Sequence, residues 1–392
     1  MVYVAKKLCL TNLIEFYDKV FNDYDEHKAV DIIYLDFKKA FDLVPHNKLL
    51  LKLKYHGIDG NALNWISNWL SGRQQRVVIN GINSNYVPVT SGVPQGSVLG
   101  PTLFLIYIND LDTNITNNIS KFADDTKLSG LANSTANCEG IQGDLDNIVE
   151  WSKKWGMEFN VDKCQTLQTG FRNIKFSYSM SGSILSNCQE QKDLGVIINS
   201  NLKFSRQCTE ASKKANRMLG FISRSFDYKS IDIVLPLYKS LVRPLLEYAV
   251  QFWNPHYAKD ILTLERVQRR ATKLIPSLRN LPYKVRLQKL RLHTLELRRL
   301  RGQLIEVYKI LNGYDELADI FTRDDNQRTR NNGCKLKGKR FRNDVANKFF
   351  VNSIVKVWNL LPTDVVAVDS ISNFKNRLDD YLASDHFTEF AI

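Results

Sequence analysis

Val30-Asp31-Ile32-Ile33-Tyr34-Leu35-Asp36-Phe37, continuing through Lys38-Lys39-Ala40-Phe41-Asp42, is the stretch on which the reading of this chain turns. The apolar run Ile32 to Leu35 ends in a carboxylate at Asp36, the pattern of a strand that delivers an acidic side chain to its end beside a turn. Taken alone, an Asp after an apolar run is most often a cap or turn former. A second acidic segment changes that weighting. In Lys121-Phe122-Ala123-Asp124-Asp125-Thr126-Lys127-Leu128 two short strand-like runs flank Asp124 and Asp125, which predicts a hairpin tip turned toward Asp36. Like charges about 4 Å apart repel by roughly 4 kcal/mol at an effective dielectric of about 20, so three converging carboxylates need cations between them. Oxygen ligands of this kind suit Mg2+. Two such ions about 3.5 to 4 Å apart clamp an in-line phosphoryl transfer, the chemistry of nucleotide addition. Asp36, Asp124 and Asp125 are therefore the candidate metal ligands, with Mn2+ as the alternative ion.

Between the two acidic segments lies Ser91-Gly92-Val93-Pro94-Gln95-Gly96-Ser97-Val98-Leu99-Gly100-Pro101, followed by the apolar run Leu103 to Ile108. Glycines permit backbone conformations and close approaches that a side chain blocks, and Pro101 suits the first turn of a following helix. An ordinary Gly/Pro loop has the same composition. The position of this one, between the carboxylate segments, predicts a loop that contacts nucleotide or template.

The remainder of the chain bounds the class. Its 392 residues with 44% hydrophobic and 11% aromatic content are enough for a large core and two or more subdomains, and too apolar for a disordered chain. No apolar run approaches the roughly 20 residues of a membrane span, and Met1 to Lys7 lacks a secretory pattern. An intracellular location, in nucleus and cytoplasm, is the expectation. The six cysteines, Cys9, Cys138, Cys164, Cys188, Cys208 and Cys334, are scattered without a Cys-x-x-Cys pair, which argues for free thiols rather than zinc or a disulfide framework.

Charge is uneven. Residues 259–309 hold fourteen Lys and Arg against four acids, an excess of ten out of the chain's net +13. Arg266, Arg269, Arg270 and Lys273 recur at spacings of three and four and so make one basic helical stripe. A nucleic-acid backbone is its natural counterion, and a solvated helix face the plain alternative. Arg298, Arg299 and Arg301 extend the basic run, and a second follows through Arg328, Arg330, Lys335, Lys337, Lys339, Arg340 and Arg342.

The order Tyr34-Leu35-Asp36-Phe37-Lys38-Lys39-Ala40-Phe41-Asp42, then Ser91 to Pro101, then Phe122-Ala123-Asp124-Asp125 resembles the reverse transcriptases of non-LTR (LINE-like) retrotransposons, jockey and chicken-repeat types in particular. The likeness runs from about Cys9 to the C-terminus and includes Val357-Trp358-Asn359-Leu360-Leu361-Pro362. It implies an RNA-directed DNA polymerase that uses two Mg2+ ions, an RNA template, a DNA primer, the RNA–DNA hybrid and deoxynucleoside triphosphates, with no membrane partner. Asp36 and Asp124 then match the metal-binding aspartates, with the Phe37 carbonyl as an extra ligand and Asp125 as a neighbour that shapes the site. Phe41 falls at the family's aromatic gate against a ribose 2'-hydroxyl, and Gln95 and Gly96 in the loop beside the incoming nucleotide. Lys163, in Trp155 to Lys163, matches a lysine that protonates the leaving pyrophosphate. Leu194 and Gly195, in Asp193-Leu194-Gly195-Val196, resemble the primer grip, although a plain hairpin turning at Asn199-Ser200-Asn201 reads equally well from the residues.

The resemblance implies an α+β fold: a right-hand palm with a mainly antiparallel sheet backed by helices, then a helical thumb. Residues 1–29 are read as residual fingers, 30–203 as palm, 204–312 as basic thumb and 313–392 as a C-terminal region. Helical spacing predicts two helices within Leu49 to Leu70, one through Ile141, Leu145, Ile148, Val149 and Trp155, short helices after Phe204, and another from Val345 to Leu360. The departure from the family is upstream, where 35 residues precede Asp36 and only Lys6 and Lys7 remain near the place of the family's triphosphate-binding basic residues. Shortened fingers make a catalytically incompetent nucleic-acid-binding remnant the alternative expectation.

Overall fold

The computed structural model describes residues 8–315, 317, 320–324 and 333–383. These fall into two compact units, residues 27–189 and residues 8–26 together with those from 190 onward. Lys6, Lys7, Arg328 and Arg330 lie outside the described residues.

The first unit runs β1 (Val30–Leu35), α1 (His46–Tyr55), α2 (Gly60–Leu70), α3 (Leu99–Ile108), β2 (Asn118–Phe122), β3 (Asp125–Leu131), α4 (Thr135–Trp155), β4 (Gln165–Thr169) and β5 (Ser186–Cys188). Among the described residues the main sheet has the order β5-β4-β1-β3-β2, antiparallel except for the parallel β4–β5 pair. This matches the mainly antiparallel α+β expectation. All six residues of β1 are buried, as an apolar run hydrogen-bonded along both edges should be. Ile33, Leu35 and Phe37 share one core with Phe104 and Tyr107 of α3 and Ile141, Leu145 and Ile148 of α4. Each fully buried aliphatic or aromatic side chain contributes about 1.5–3 kcal/mol, so this stripe carries much of the sheet-to-helix packing. α4 begins at Ser134, whose side chain accepts from the Asn137 amide, as an N-cap serine does. The two helices expected between residues 49 and 70 are α1 and α2.

Buried polar groups tie the helices to the strands. Asp144 of α4, 2% exposed, accepts from the Thr116 and Asn117 amides and from Asn117 Nδ2, and so clamps the chain entering β2. Lys52 of α1 is buried, donates to the Tyr107 carbonyl and to Asp110, and lies 3.8 Å from the Trp155 ring centroid. Burial pulls its ammonium down to about 8.

The glycine loop docks by its backbone. The Gly92 amide donates to Val44 O and the Val93 amide to Phe41 O, while Gly92 O is 2.8 Å from His46 Nε2. Gly92 has φ +91°, and a Cβ there would lie 2.7 Å from Asp42 O and 2.8 Å from Phe41 O. No side chain fits that approach.

The second unit contains the Cys9–Asp25 helix, the hairpin β6 (Glu190–Asp193) and β7 (Val196–Asn199), and the helices α5 (Ser205–Ser225), α6 (Ala258–Lys273), α7 (Leu295–Leu311), α8 (Phe350–Trp358) and α9 (Ile371–Ala383). The contact division falls at Gln189/Glu190, ahead of the palm-to-thumb boundary expected near 203, because the hairpin is anchored within this unit. The Ile197 amide donates to Gln207 of α5, and Tyr17 donates its hydroxyl to Asp193. Residues 9–25, read from the sequence as part of residual fingers, cluster with this unit as well. The hairpin turns at Leu194 and Gly195, both at positive φ, and not at Asn199-Ser200-Asn201. α5 is a single 21-residue helix where short helices are expected from the sequence.

Glu306 of α7 is 3% exposed and 3.3 Å from Lys309, which also reaches Asp315 at 3.7 Å. Burial pushes the Glu306 carboxyl up to about 7, with Lys309 opposing and Asp315 adding to the rise.

The loop and the buried carboxyl each set an expectation for stability. In denaturant titrations Gly96→Ala, where φ is +80° but a Cβ meets open space, is expected to cost about 1–2 kcal/mol, and Gly92→Ala distinctly more because backbone must move. The folded pKa of Glu306 exceeds its unfolded value near 4.5, so its contribution is full below that pH and is lost as pH rises through about 7. Glu306→Gln should therefore flatten the fall in stability between pH 5 and pH 8, measured by denaturation at each pH.

Candidate active site

β1 sets the position of Asp36. Its antiparallel register with β3 runs from Val30↔Leu131 to Leu35↔Thr126 and stops one step short of Asp36 and Asp125. β2 and β3 close with Phe122↔Asp125, which leaves Ala123 and Asp124 as the two-residue turn. Ala123 takes the left-handed φ of +52° that tight hairpin turns require. Asp36 and the Asp124 turn therefore stand at the same end of the sheet. Asp125 is the first residue of β3, not part of the turn, and is exposed.

The segment after α4 fastens the other flank of Asp36. The Asn160 amide donates to Asp36 O, the Asp36 amide donates to Cys164 Sγ at 3.4 Å, and the Lys38 amide donates to Glu158 O. These bonds bracket the antiparallel bridge between Phe37 and Phe159, whose rings stack at 4.3 Å. In such a bridge the flanking residues make the hydrogen bonds, so the Phe37 carbonyl points to the opposite edge, the side of the hairpin. The Phe37 ring is 5% exposed, which leaves the backbone of this residue to serve any ligand. The same fastening carries Lys163 to 3.7 Å from Asp36 Oδ2, with its side chain 68% exposed. Cys164, fully buried with its thiol pushed by burial up to about 11, is a positioning residue that the sequence did not single out.

Phe41 is half-buried and stacks on the core ring Phe104 at 4.5 Å, so a partly open ring rests on a fixed one. Gln95 and Gly96 are exposed, and Gln95 Nε2 donates to Asp42 Oδ1 at 2.8 Å. The loop is thereby joined to the chain segment that follows Asp36.

The donors at the hairpin end are carboxylate and carbonyl oxygens, a hard set that fits Mg2+ or Mn2+ and not the softer metals. Among the described residues no three His, Cys, Asp or Glu side chains are gathered as a metal-binding group, so the expected convergence of Asp36, Asp124 and Asp125 is not assembled as a trio. The backbone separates two of them in role: Asp124 lies in the turn and Asp125 opens a strand.

In the second unit the basic stripe is exposed along α6, at Arg266, Arg269, Arg270 and Lys273. Arg269 lies over the Tyr283 ring at 4.9 Å, and Arg270 donates to Asn216 of α5 at 2.9 Å. An open groove of about 680 Å³ is lined by Arg270 with Lys213, Arg217 and Arg224 of α5. The last three share a helix face at spacings of four and seven, a signal present in the sequence but passed over. Arg298, Arg299 and Arg301 do not extend the basic surface as expected. Arg298 grips Glu247 with Nη2–Oε2 at 3.0 Å, Arg299 is 3% exposed and bonds Asn254, and Arg301 pairs with Asp379. They bridge helices of their own unit. Leu194 O accepts from the Tyr248 hydroxyl at 2.8 Å, and the same ring lies against Gly195, so the hairpin turn is braced.

The family model described as reverse transcriptase (RNA-dependent DNA polymerase) matches residues 8–222. Similar proteins include the RNA-directed DNA polymerase from mobile element jockey of Drosophila melanogaster, 30% identical over 56% of this chain and 25% of that protein. The jockey polymerase of Drosophila funebris is 32% identical over the same shares. The chain thus spans about a quarter of the length of these relatives. Among solved structures, telomerase from Candida tropicalis in complex with a TWJ fragment of telomeric RNA aligns at 11% identity and a TM-score of 0.41, covering 78% of this chain and 45% of that one. With the family model spanning more than half of its length, this chain belongs to the reverse transcriptase family, and its relatives there are the polymerases of non-LTR retrotransposons.

Proposed function

We propose that the chain is an RNA-directed DNA polymerase of a non-LTR retrotransposon, extending a primer 3'-hydroxyl on an RNA template with deoxynucleoside triphosphates. The observation that carries this reading is the placement of Asp36 and the Asp124 turn at one end of a rigid sheet, with Lys163 3.7 Å from Asp36. The 3'-oxygen attacks the α-phosphorus in line, the bond from that phosphorus to the bridging oxygen breaks, and pyrophosphate leaves. Reverse transcriptases work with divalent metal; bound here, two Mg2+ ions held by Asp36, Asp124 and the Phe37 carbonyl would supply Lewis-acid stabilisation of the charge that develops. Asp125 shapes that end of the sheet.

The protein's own part is placement and proton supply. Lys163, 3.7 Å from Asp36 Oδ2, stands beside the reacting end and hands a proton to the departing pyrophosphate. Phe41, backed by Phe104, narrows the space beside C2' and favours deoxyribose. Gln95 and Gly96 offer an exposed edge to the nucleotide and template base, held by the bond to Asp42. Arg266, Arg269, Arg270 and Lys273 hold the hybrid through its phosphates, and the turn at Leu194 and Gly195 positions the primer strand.

Two measurements test this assignment. Labelled deoxynucleotide incorporation on an RNA template with a DNA primer in Mg2+ should fall at least 100-fold in Asp124→Asn while hybrid binding is kept, and Phe41→Ala should raise ribonucleotide use. Hybrid binding without incorporation by the unaltered chain would identify a binding remnant instead. In salt titrations of hybrid affinity, Arg266→Ala and Lys273→Ala should each reduce the slope by about 0.7–0.9 for every phosphate left without its cationic partner.

A further inference from the structure

Away from the carboxylates, the first unit carries flat side chains turned outward. Trp65 and Trp69, four residues apart on α2, stack with centroids 6.2 Å apart and planes 8° from parallel. Trp69 packs against the core, whereas Trp65 is 59% exposed. The guanidinium of Arg73, just beyond the helix, lies 5.5 Å from the Trp69 centroid. The chain then forms two short strand pairs, Gln74–Gln75 with Val87–Pro88 and Val78–Ile79 with Ile82–Asn83, turning at Asn80 and Gly81. There Arg76 lies 4.8 Å from the centroid of Tyr86, itself 58% exposed. Exposed tryptophan and tyrosine faces bring this surface no burial, so folding alone does not account for them.

Charge decides what would cover it. From Gly60 to Asn109 the sequence has no Asp or Glu, and its only charged residues are Arg73 and Arg76. An acid-free segment that pairs guanidinium groups with open aromatic faces complements a polyanion whose rings are free to stack. Paired bases are already stacked on one another, so the complement is a strand with unpaired bases. Asn80, Asn83 and Asn85 at the hairpin add donors and acceptors for base edges and sugar hydroxyls.

We propose that α2 and the hairpin beyond it, through Trp65, Arg73, Arg76 and Tyr86, form a stacking platform for unpaired RNA. This rests on the RNA-directed reading above, under which the template ahead of the hybrid is the unpaired strand at hand. The platform holds that strand independently of the polymerase carboxylates.

The test is fluorescence anisotropy with the full chain and three probes: a labelled 12-nucleotide oligouridine, the same RNA in duplex form, and the matching single-stranded DNA. Trp65→Ala and Tyr86→Ala should each weaken the single-stranded RNA about tenfold and leave the duplex unchanged, with Trp65→Phe restoring most of the affinity. An equal loss on the duplex, or no loss on the single strand, overturns the platform. An equal loss on single-stranded DNA overturns the assignment to RNA. Loss of self-association in sedimentation with RNA affinity intact overturns it in favour of a second copy of the chain. Unchanged thermal melts keep misfolding out of the comparison, since Trp65 is largely exposed. Incorporation by the same preparations is scored separately, so a chain that binds through Trp65 but never extends a primer fails the polymerase reading alone.

Discussion

Everything at the candidate site depends on β1 being hydrogen-bonded along both edges. A strand paired on one side can slip, and a slip of one residue turns every side chain to the other face. With β3 and β4 both in register, Leu35 and Phe37 are committed to the core and Asp36 to the opposite face. The same pairing puts the β2–β3 turn at the same end of the sheet as Asp36.

The surrounding elements reinforce this placement by backbone contacts more than by side chains. The Asn160–Cys164 segment is bonded to the Asp36 peptide, and the Gly92 loop to Phe41 and Val44. Such contacts tolerate change in exposed side chains but not displacement of the chain. In the second unit the side chains carry the tie. Arg298, Arg299 and Arg301 join α7 to its neighbours, so part of a conspicuous positive charge serves cohesion and not binding.

Much of this was legible in the sequence because it was written as local pattern. The apolar run ending at Asp36, the strand-like flanks of Asp124 and the helical stripe through Ile141, Leu145 and Ile148 each follow from residue order alone. The resemblance of the three motifs added roles to those positions. What local pattern did not contain was partnership. Nothing near Arg299 says that Asn254 will bury it, and nothing near Leu194 says that Tyr248 will brace the turn, since those partners lie 45 and 54 residues away. The Trp65–Trp69 pair was visible as a spacing of four, but its exposure depends on which helix face the core takes. The contact division at Gln189/Glu190 is another case, because it follows from the hairpin's contacts to α5 and to the Cys9–Asp25 helix.

The thiol that accepts from the Asp36 amide has a use outside catalysis. Cys164 is fully buried and its proton is held tightly, so an alkylating reagent can reach a reactive thiolate there only after the end of β1 has parted from the Asn160–Cys164 segment. Its rate of modification, read against the partly accessible Cys9, Cys188 and Cys334, reports how often the end of β1 opens. The protein carries its own clock for local unfolding at the position where rigidity matters most.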